Sequence, residues 1–157
     1  MKTTVQAVMS SLICVACASY QPDGLSGGYS ETRLWDNAFH VTFAGNAYTT
    51  QENAEDFALL RAAELTLEND FSYFAILDSA NWTSTSINTS HSSSTANMSA
   101  HYGSAKMQQQ GGQTSTSLVP HAELDVELFN AMPQGYELVY EAKIVQQSIR
   151  TKYKIDE

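Results

Sequence analysis

Two cysteines near the N-terminus are the residues whose type and spacing most directly suggest chemistry. Cys14 and Cys17 are the only cysteines among the 157 residues. They close an uncharged, mostly apolar run that begins at Val5, shortly after the positive charge of Lys2. Such a run fits the apolar region of an export signal and is shorter than the ~20 residues that a bilayer span needs. A cysteine at the end of such a signal can receive lipid on its thiol.

The residues around Cys17 favour lipid modification. Bacterial lipoprotein signals end in an apolar residue, two small residues and the cysteine that is acylated; here Val15 and Ala16 precede Cys17, and Cys14 stands where Leu is usual. We therefore predict a signal peptide over residues 1–16 and a lipidated Cys17. Two alternatives stay open, namely a plain export signal cut near Ala16 or Ala18 and an uncleaved terminal segment.

The cysteine count supports the lipidated form. Cleavage before Cys17 leaves the mature chain one thiol, so it has no disulfide framework, and acylation accounts for that thiol. Ala18, rather than Asp, follows Cys17, which in Gram-negative cells indicates sorting to the outer membrane. The predicted location is the cell envelope, lipid-anchored on the periplasmic face of the outer membrane.

Histidines and methionines in the middle of the chain could bind a soft metal. Imidazole and thioether ligands can hold copper. The candidate ligands in the polar loop are His91, Met98, His101 and Met107. Their spacing is irregular, with no cysteine or carboxylate nearby, so incidental loop residues are the favoured interpretation and no cofactor is predicted. A periplasmic copper-handling protein is the alternative function.

Enzyme motifs are weak in this sequence. Serine is abundant only in the loop and has no Gly-x-Ser-x-Gly context. Asp125 and Glu127 alternate along a predicted strand, as acids on a solvated sheet face do. Arg61 and Glu64 have the i,i+3 spacing of a helix-surface pair, and Arg61 would anchor the fold instead if the sheet covered it. We therefore expect a non-catalytic accessory or interaction domain with no small-molecule substrate.

Charge narrows the choice of partners. The 17 acidic residues outnumber the 8 basic ones, giving a net charge of −9. Nucleic acid is excluded as a partner because phosphates are bound by clustered Lys and Arg. Binding of anionic lipid through a polybasic segment is disfavoured as well, because the chain has few basic residues. The expected partners are the membrane, through the lipid anchor, and an envelope protein.

The elements that position these residues begin after a short tether. Residues 17–28 are rich in Pro, Gly and Ser, and residues 29–157 are predicted to form one domain. Strands are predicted over 29–34 and, from strict alternation, 39–43. Thr49 and Glu52 have capping-box spacing, which predicts a helix to residue 68 that ends at Asn69-Asp70. Its inward face would carry Leu59, Leu60, Ala63 and Leu67, and its outward face Arg61, Glu64 and Glu68.

The rest of the chain alternates between strands and one more helix. Residues 71–77 are apolar on both faces, as in a central strand. Alternation predicts a strand over 123–128, another follows over 136–142, and Ala142, Val145, Ile149 and Tyr153 recur at helical spacing. The order β-β-α-β-β-β-α indicates an α+β fold, with two helices on one face of a mainly antiparallel sheet.

A Ser/Thr-rich tract separates two of these strands. Lys106 is the only Lys, Arg, Asp or Glu between Trp82 and Ser117. The flanks, 82–88 and 114–119, are rich in Thr and Ser and predict a long polar hairpin. The low-complexity loop, about 88–113, contains a tip that lacks the apolar residues needed to offset ordering entropy, so we predict that the tip is disordered.

Several short stretches resemble a family of small proteobacterial envelope lipoproteins of unknown function. They are Tyr20-Gln21-Pro22, Gly27-Gly28-Tyr29-Ser30-Glu31, Gly45-Asn46, the stretch EDFALLRAAELTL at 55–67, and Phe71-Ser72-Tyr73-Phe74. The likeness covers residues 20–78, and the segment 140–153 looks similar too. In that family a Gly usually precedes the aromatic strand, where this chain has Asn69-Asp70. The resemblance implies an envelope lipoprotein and brings no catalytic residues.

Overall fold

The alternating patterns of the sequence become strands, and the Ala- and Leu-rich stretch becomes a central helix. The computed structural model describes residues 20–89 and 114–155. In these stretches the elements are β1 Gly28–Trp35, β2 Ala38–Ala44, α1 Gln51–Glu68, β3 Tyr73–Thr89, β4 Thr114–Phe129, β5 Val139–Glu141 and α2 Ala142–Tyr153. This order and the α+β class confirm the prediction.

The described strands form one antiparallel sheet in the order β1-β2-β4-β3-β5. Side chains alternate across it, so Val41 of β2 pairs with Leu124 of β4 on the helix side, while His40 pairs with Asp125 on the opposite side. The inner face supplies much of the core. Its buried members are Phe39, Val41, Phe43, Phe74, Ala122, Leu124, Val126 and Leu128.

Helix α1 is covered on more than its sheet-facing side. Leu60 is fully buried as predicted, whereas Leu59 and Leu67 are only partly buried. Arg61 and Glu64 are also buried, so the prediction that they lie on an outward, solvated face was wrong. The reason is that α2 and β1 also pack against α1.

Both ends of α1 differ in detail from the predicted caps. Thr50, not Thr49, is the N-cap, and its hydroxyl accepts the N–H of Asn53 at 3.1 Å. At the other end Asp70 takes the left-handed conformation, with φ 63°. The Phe71 N–H then donates to the Thr66 carbonyl at 2.9 Å, and the Asp70 N–H donates to the Leu67 carbonyl at 3.1 Å. These two hydrogen bonds define a Schellman motif.

Strand β3 is a central strand only at its start. It pairs with β5 over Tyr73–Ala75, after which a register shift leaves Leu77 as an extra residue and 49% exposed. The prediction of a strand buried on both faces through Leu77 was therefore wrong at Leu77, because the register shift leaves this residue unpaired and half-exposed.

Beyond β2 and β5, strands β3 and β4 continue as a two-stranded hairpin, here called the ribbon. Its pairs run from Thr83 with Pro120 to Thr89 with Thr114. This confirms the predicted pairing of the polar flanks. The predicted disordered tip lies outside the described residues.

The C-terminal elements are a short strand and a helix. Strand β5 covers Val139–Glu141, less than the predicted 136–142. Leu138 contributes only its carbonyl, which accepts the Ile76 N–H at 3.1 Å, and Ala142 already belongs to α2. Helix α2 follows directly and buries Ala142, Val145 and Ile149, as predicted. In the part of the chain described, no helix combines the length and apolar character needed to cross a membrane.

Candidate functional site: the docking site of the N-terminal segment

The N-terminal segment, residues 20–23, lies along the free edge of β1. The Tyr29 N–H donates to the Gln21 carbonyl at 2.8 Å, and the Asp23 N–H donates to the Tyr29 carbonyl at 2.8 Å. Pro22 and Tyr29 form a parallel bridge. Residues 20–23, which the sequence assigns to a short tether, thus pair with the sheet.

Two glycines make this close approach possible. A Cβ on Gly28 would lie 2.4 Å from the Gln21 carbonyl oxygen, and one on Gly27 would lie 2.3 Å from the Ala44 carbonyl oxygen. Both also have positive φ, 81° at Gly27 and 145° at Gly28, which side chains disfavour. Gly28 therefore allows the N-terminal segment to pack closely against β1, and Gly27 allows the same for the end of β2.

Tyr20 inserts its ring between strand and helix. Its ring centroid lies 4.8 Å from that of Tyr29 and 5.6 Å from that of Phe57. Its hydroxyl donates to Glu64 Oε2. Burial raises the pKa of the Tyr20 phenol well above its usual range, and the hydrogen bond and negative charge of Glu64 raise it further.

A network of charged side chains lies beneath Tyr20. Glu64 accepts from Arg150 Nη2 at 2.8 Å and from Arg61 Nη1 at 3.4 Å. Arg61 also makes a two-point contact with Glu31, at 3.1 and 2.9 Å, and an ion pair with Glu68 at 2.9 Å. Its guanidinium lies 4.8 Å from the centre of the Tyr29 ring.

Each charged group of the network has at least one partner of opposite charge. Burial lowers the pKa of Arg61, but the carboxylates of Glu31 and Glu68 more than offset this, so the net shift is upward. Glu64 has two arginines and one phenol as partners, which satisfies a carboxylate that is only 7% exposed. The arrangement stabilises a docked chain segment. It also supports the second interpretation of Arg61, that of an anchor of the fold.

The predicted lipidation site and the candidate metal ligands are not among the residues that the structure describes. Cys17 and the candidate metal ligands His91, Met98, His101 and Met107 all lie outside the described residues. Sequence reasoning did not assign a role to Tyr20, Tyr29 or Glu31. All three belong to the stretches that carry the family resemblance, and the structure brings them together at one docking site.

A second polar cluster lies on the outer face of the sheet. His40 Nδ1 is 2.6 Å from Asp125 Oδ1, and Thr42 Oγ1 is 3.3 Å from His40 Nε2. Hydroxyl, imidazole and carboxylate therefore stand in the order of a nucleophile, a base and an orienting group. Glu127, the other acid predicted on this face, instead accepts hydrogen bonds from Asn37 and Tyr136.

The surroundings of this cluster do not suit acyl transfer. It opens on a shallow depression lined by Asp78 and Glu123 as well as His40 and Asp125. Negative charge there opposes a developing oxyanion, and the Ser79 N–H is already engaged by Asp78 at 2.8 Å. Within residues 20–89 and 114–155 no group of three His, Cys, Asp or Glu is arranged to hold a metal ion.

Comparison of the chain with family models, with curated proteins and with solved structures finds no match.

Proposed function

We propose that this chain is a lipid-anchored protein of the bacterial cell envelope, acylated at Cys17 and facing the periplasm from the outer membrane. The α+β domain acts there as a non-catalytic accessory or interaction domain. The observation that carries the proposal is the sequence Val15-Ala16-Cys17 at the end of an apolar run, followed after two residues by a segment that docks on the domain.

The docking site supports a short, defined tether. Tyr20 follows Cys17 by three residues, so their Cα atoms are at most about 11 Å apart. A domain on a flexible linker has no need to bury the first residues after the anchor. Here Tyr20 contributes two ring contacts and a hydrogen bond to Glu64.

The ribbon supports an interaction role. Over residues 83–89 and 114–119 neither strand has a second neighbour among the described strands. Unpaired strand edges can accept a further strand from a partner protein. Ile87 and Leu118 are diagonal neighbours on this ribbon and are 64% and 67% exposed. An envelope protein that adds a strand here would cover them.

Metabolic labelling with an alkyne fatty acid tests the anchor. The wild-type chain should incorporate label, and Cys17→Ala should lose it and accumulate as precursor or soluble protein. Cys14→Leu is the matched control, because it removes the other cysteine, places the usual residue at that position of the signal and should retain the label. Equal labelling of wild type and Cys17→Ala would contradict the proposal.

A further inference from the structure

Two large side chains stand in solvent at the end of the domain where the N-terminal segment docks. Leu25 is fully exposed, and Tyr48 is 71% exposed. Leu25 lies in the turn between the N-terminal segment and β1, and Tyr48 in the loop between β2 and α1.

Asn46 joins these two loops. Its side-chain amide donates to the Ser26 carbonyl at 3.1 Å, and its side-chain oxygen accepts the Tyr48 N–H at 2.9 Å. The Gly27 Cα is also packed against the carbonyl groups of Ala44 and Gly45. Leu25 and Tyr48 therefore belong to one connected surface, here called the loop pair.

The loop pair adjoins the point where the chain leaves for the anchor. Gln21 donates from its side-chain amide to the Gly27 carbonyl at 3.2 Å, so the docked segment and the Leu25 turn touch. The parallel bridge between Pro22 and Tyr29 places Tyr20 level with Gly27, at this same end of β1. A lipid on Cys17, at most about 11 Å from Tyr20, brings the bilayer to this end. The ribbon extends from the same end of the sheet, so in this orientation it lies along the membrane surface.

We propose that Leu25 and Tyr48 enter the headgroup region of the membrane that holds Cys17, as a non-covalent contact beside the lipid anchor. This inference rests on the proposed lipidation. A leucine gains from leaving water, and a tyrosine suits the interface because its ring is apolar and its hydroxyl stays hydrated. The proposed contact is apolar and does not need anionic lipid. Lys152, near this end, is already paired with Glu52 and Asp56, at 2.6 Å each.

Bimane fluorescence on the lipidated full-length protein tests this contact. The protein is purified from membranes and reconstituted in phosphatidylcholine vesicles, with bimane attached at Leu25→Cys or Tyr48→Cys. Ile144→Cys is the matched control: it is 57% exposed and lies at the opposite end, where the Ala142 N–H bonds the Ser72 carbonyl at 3.0 Å. The lipid blocks the thiol of Cys17, and cleavage removes Cys14, so only the new thiol reacts.

At positions 25 and 48 we expect a blue-shifted emission that brominated lipid quenches, and at position 144 quenching by aqueous iodide only. If the protein carries lipid but iodide quenches all three positions equally and brominated lipid none, the contact is refuted while the anchor stands. If mass spectrometry finds no lipid on the purified protein, the anchor itself is refuted and the contact loses its basis.

Discussion

Arg61 shows how strongly the environment of a residue can depart from the pattern of its helix. Its spacing from Glu64 and Glu68 is that of a solvated helix face, yet its side chain is 10% exposed and contacts carboxylates from two elements. Helical periodicity identifies the face turned to the sheet and assumes that the other face meets water. In this fold β1, α2 and Tyr20 cover that other face, and their positions depend on contacts far apart in sequence.

Removing Arg61 should therefore be as costly as removing a core leucine. We expect Arg61→Ala to lower the free energy of unfolding by about 3–5 kcal/mol, because Glu64 stays buried with half of its positive partners gone. Leu60→Ala should cost about 2–5 kcal/mol. Arg33→Ala, at an exposed arginine, is the control and should cost about 1 kcal/mol or less. Denaturant unfolding measures all three, and a loss at Arg61 as small as at Arg33 would contradict the buried network.

Tyr20 should make the docking site sensitive to alkaline pH. Its pKa in the folded protein is raised above the ordinary 10.0, so the folded state holds the phenolic proton more tightly than the unfolded chain does. The stabilisation by this hydroxyl is then fully present below pH 10 and is lost as pH rises above it. The difference in unfolding free energy between wild type and Tyr20→Phe should shrink between pH 9 and pH 11. A difference that stays constant or grows would show that the hydroxyl does not donate to a buried carboxylate.

The sequence alone could predict Cys17 as a lipidation site, but it could not predict the role of Tyr20 in the docking site. Cys17 is predicted from a motif of the kind that an enzyme reads as linear sequence, so its neighbours suffice for the prediction. Tyr20 acts through Phe57 and Glu64, which are 37 and 44 positions away. No local periodicity encodes such contacts, and only the resemblance drew attention to this residue.

At the scale of elements, the docked segment depends on the conformation of the Gly27-Gly28 pair. Gly28→Ala should displace residues 20–23 from β1, because the new Cβ would meet two carbonyl oxygens of that segment at 2.4 and 2.6 Å. We expect faster proteolysis of the segment and a lower melting temperature.

Gly24→Ala is the matched control for this substitution. A Cβ at Gly24 meets nothing within 4 Å, so the variant should behave like the wild type. Equal proteolysis of the two variants would mean that the segment is not held against β1.

The ribbon should be less stable than the sheet from which it extends. Two strands without further neighbours are marginal in water, and their hydrogen bonds are open to solvent on both edges. Hydrogen exchange should find the ladder amides of residues 122–128 slowest, those of 83–88 and 115–119 intermediate, and residues 90–112 fastest. Exchange over 83–88 as fast as over 90–112 would contradict a formed ribbon.

Element order was predictable and some element limits were not. Strands β2 and β4 were predictable from the alternation of apolar and polar residues, and α1 from its Ala- and Leu-rich composition. These are local patterns, and the structure forms the predicted elements there. The bulge at Leu77 and the short β5 have no such signal, because both depend on where a neighbouring strand begins. Either Thr49 or Thr50 could be the N-cap from the sequence alone. In the structure the Thr49 hydroxyl accepts the Asn46 N–H at 2.9 Å in the preceding turn, and Thr50 is the N-cap.

At the scale of the whole molecule, tether length should set the height of the domain above the membrane. A Gly/Ser insertion of about 12 residues between Ser19 and Tyr20 adds a root-mean-square reach of about 19 Å. In the Leu25→Ser, Tyr48→Ser background, energy transfer from a dye at Ile144→Cys to a headgroup acceptor should fall. The melting temperature should not change, because the docked segment begins at Tyr20. Unchanged transfer would show that another surface holds the domain in place.

The parallel alignment of residues 20–23 with β1 has a mechanical consequence. A pull on the chain along this segment loads its two backbone hydrogen bonds to Tyr29 in shear, so they must break together rather than one after another. The same pull acts through the Tyr20 hydroxyl on Glu64 and, through its arginines, on both helices. Force applied to the chain just before Tyr20 is therefore shared among β1 and both helices before any single contact yields.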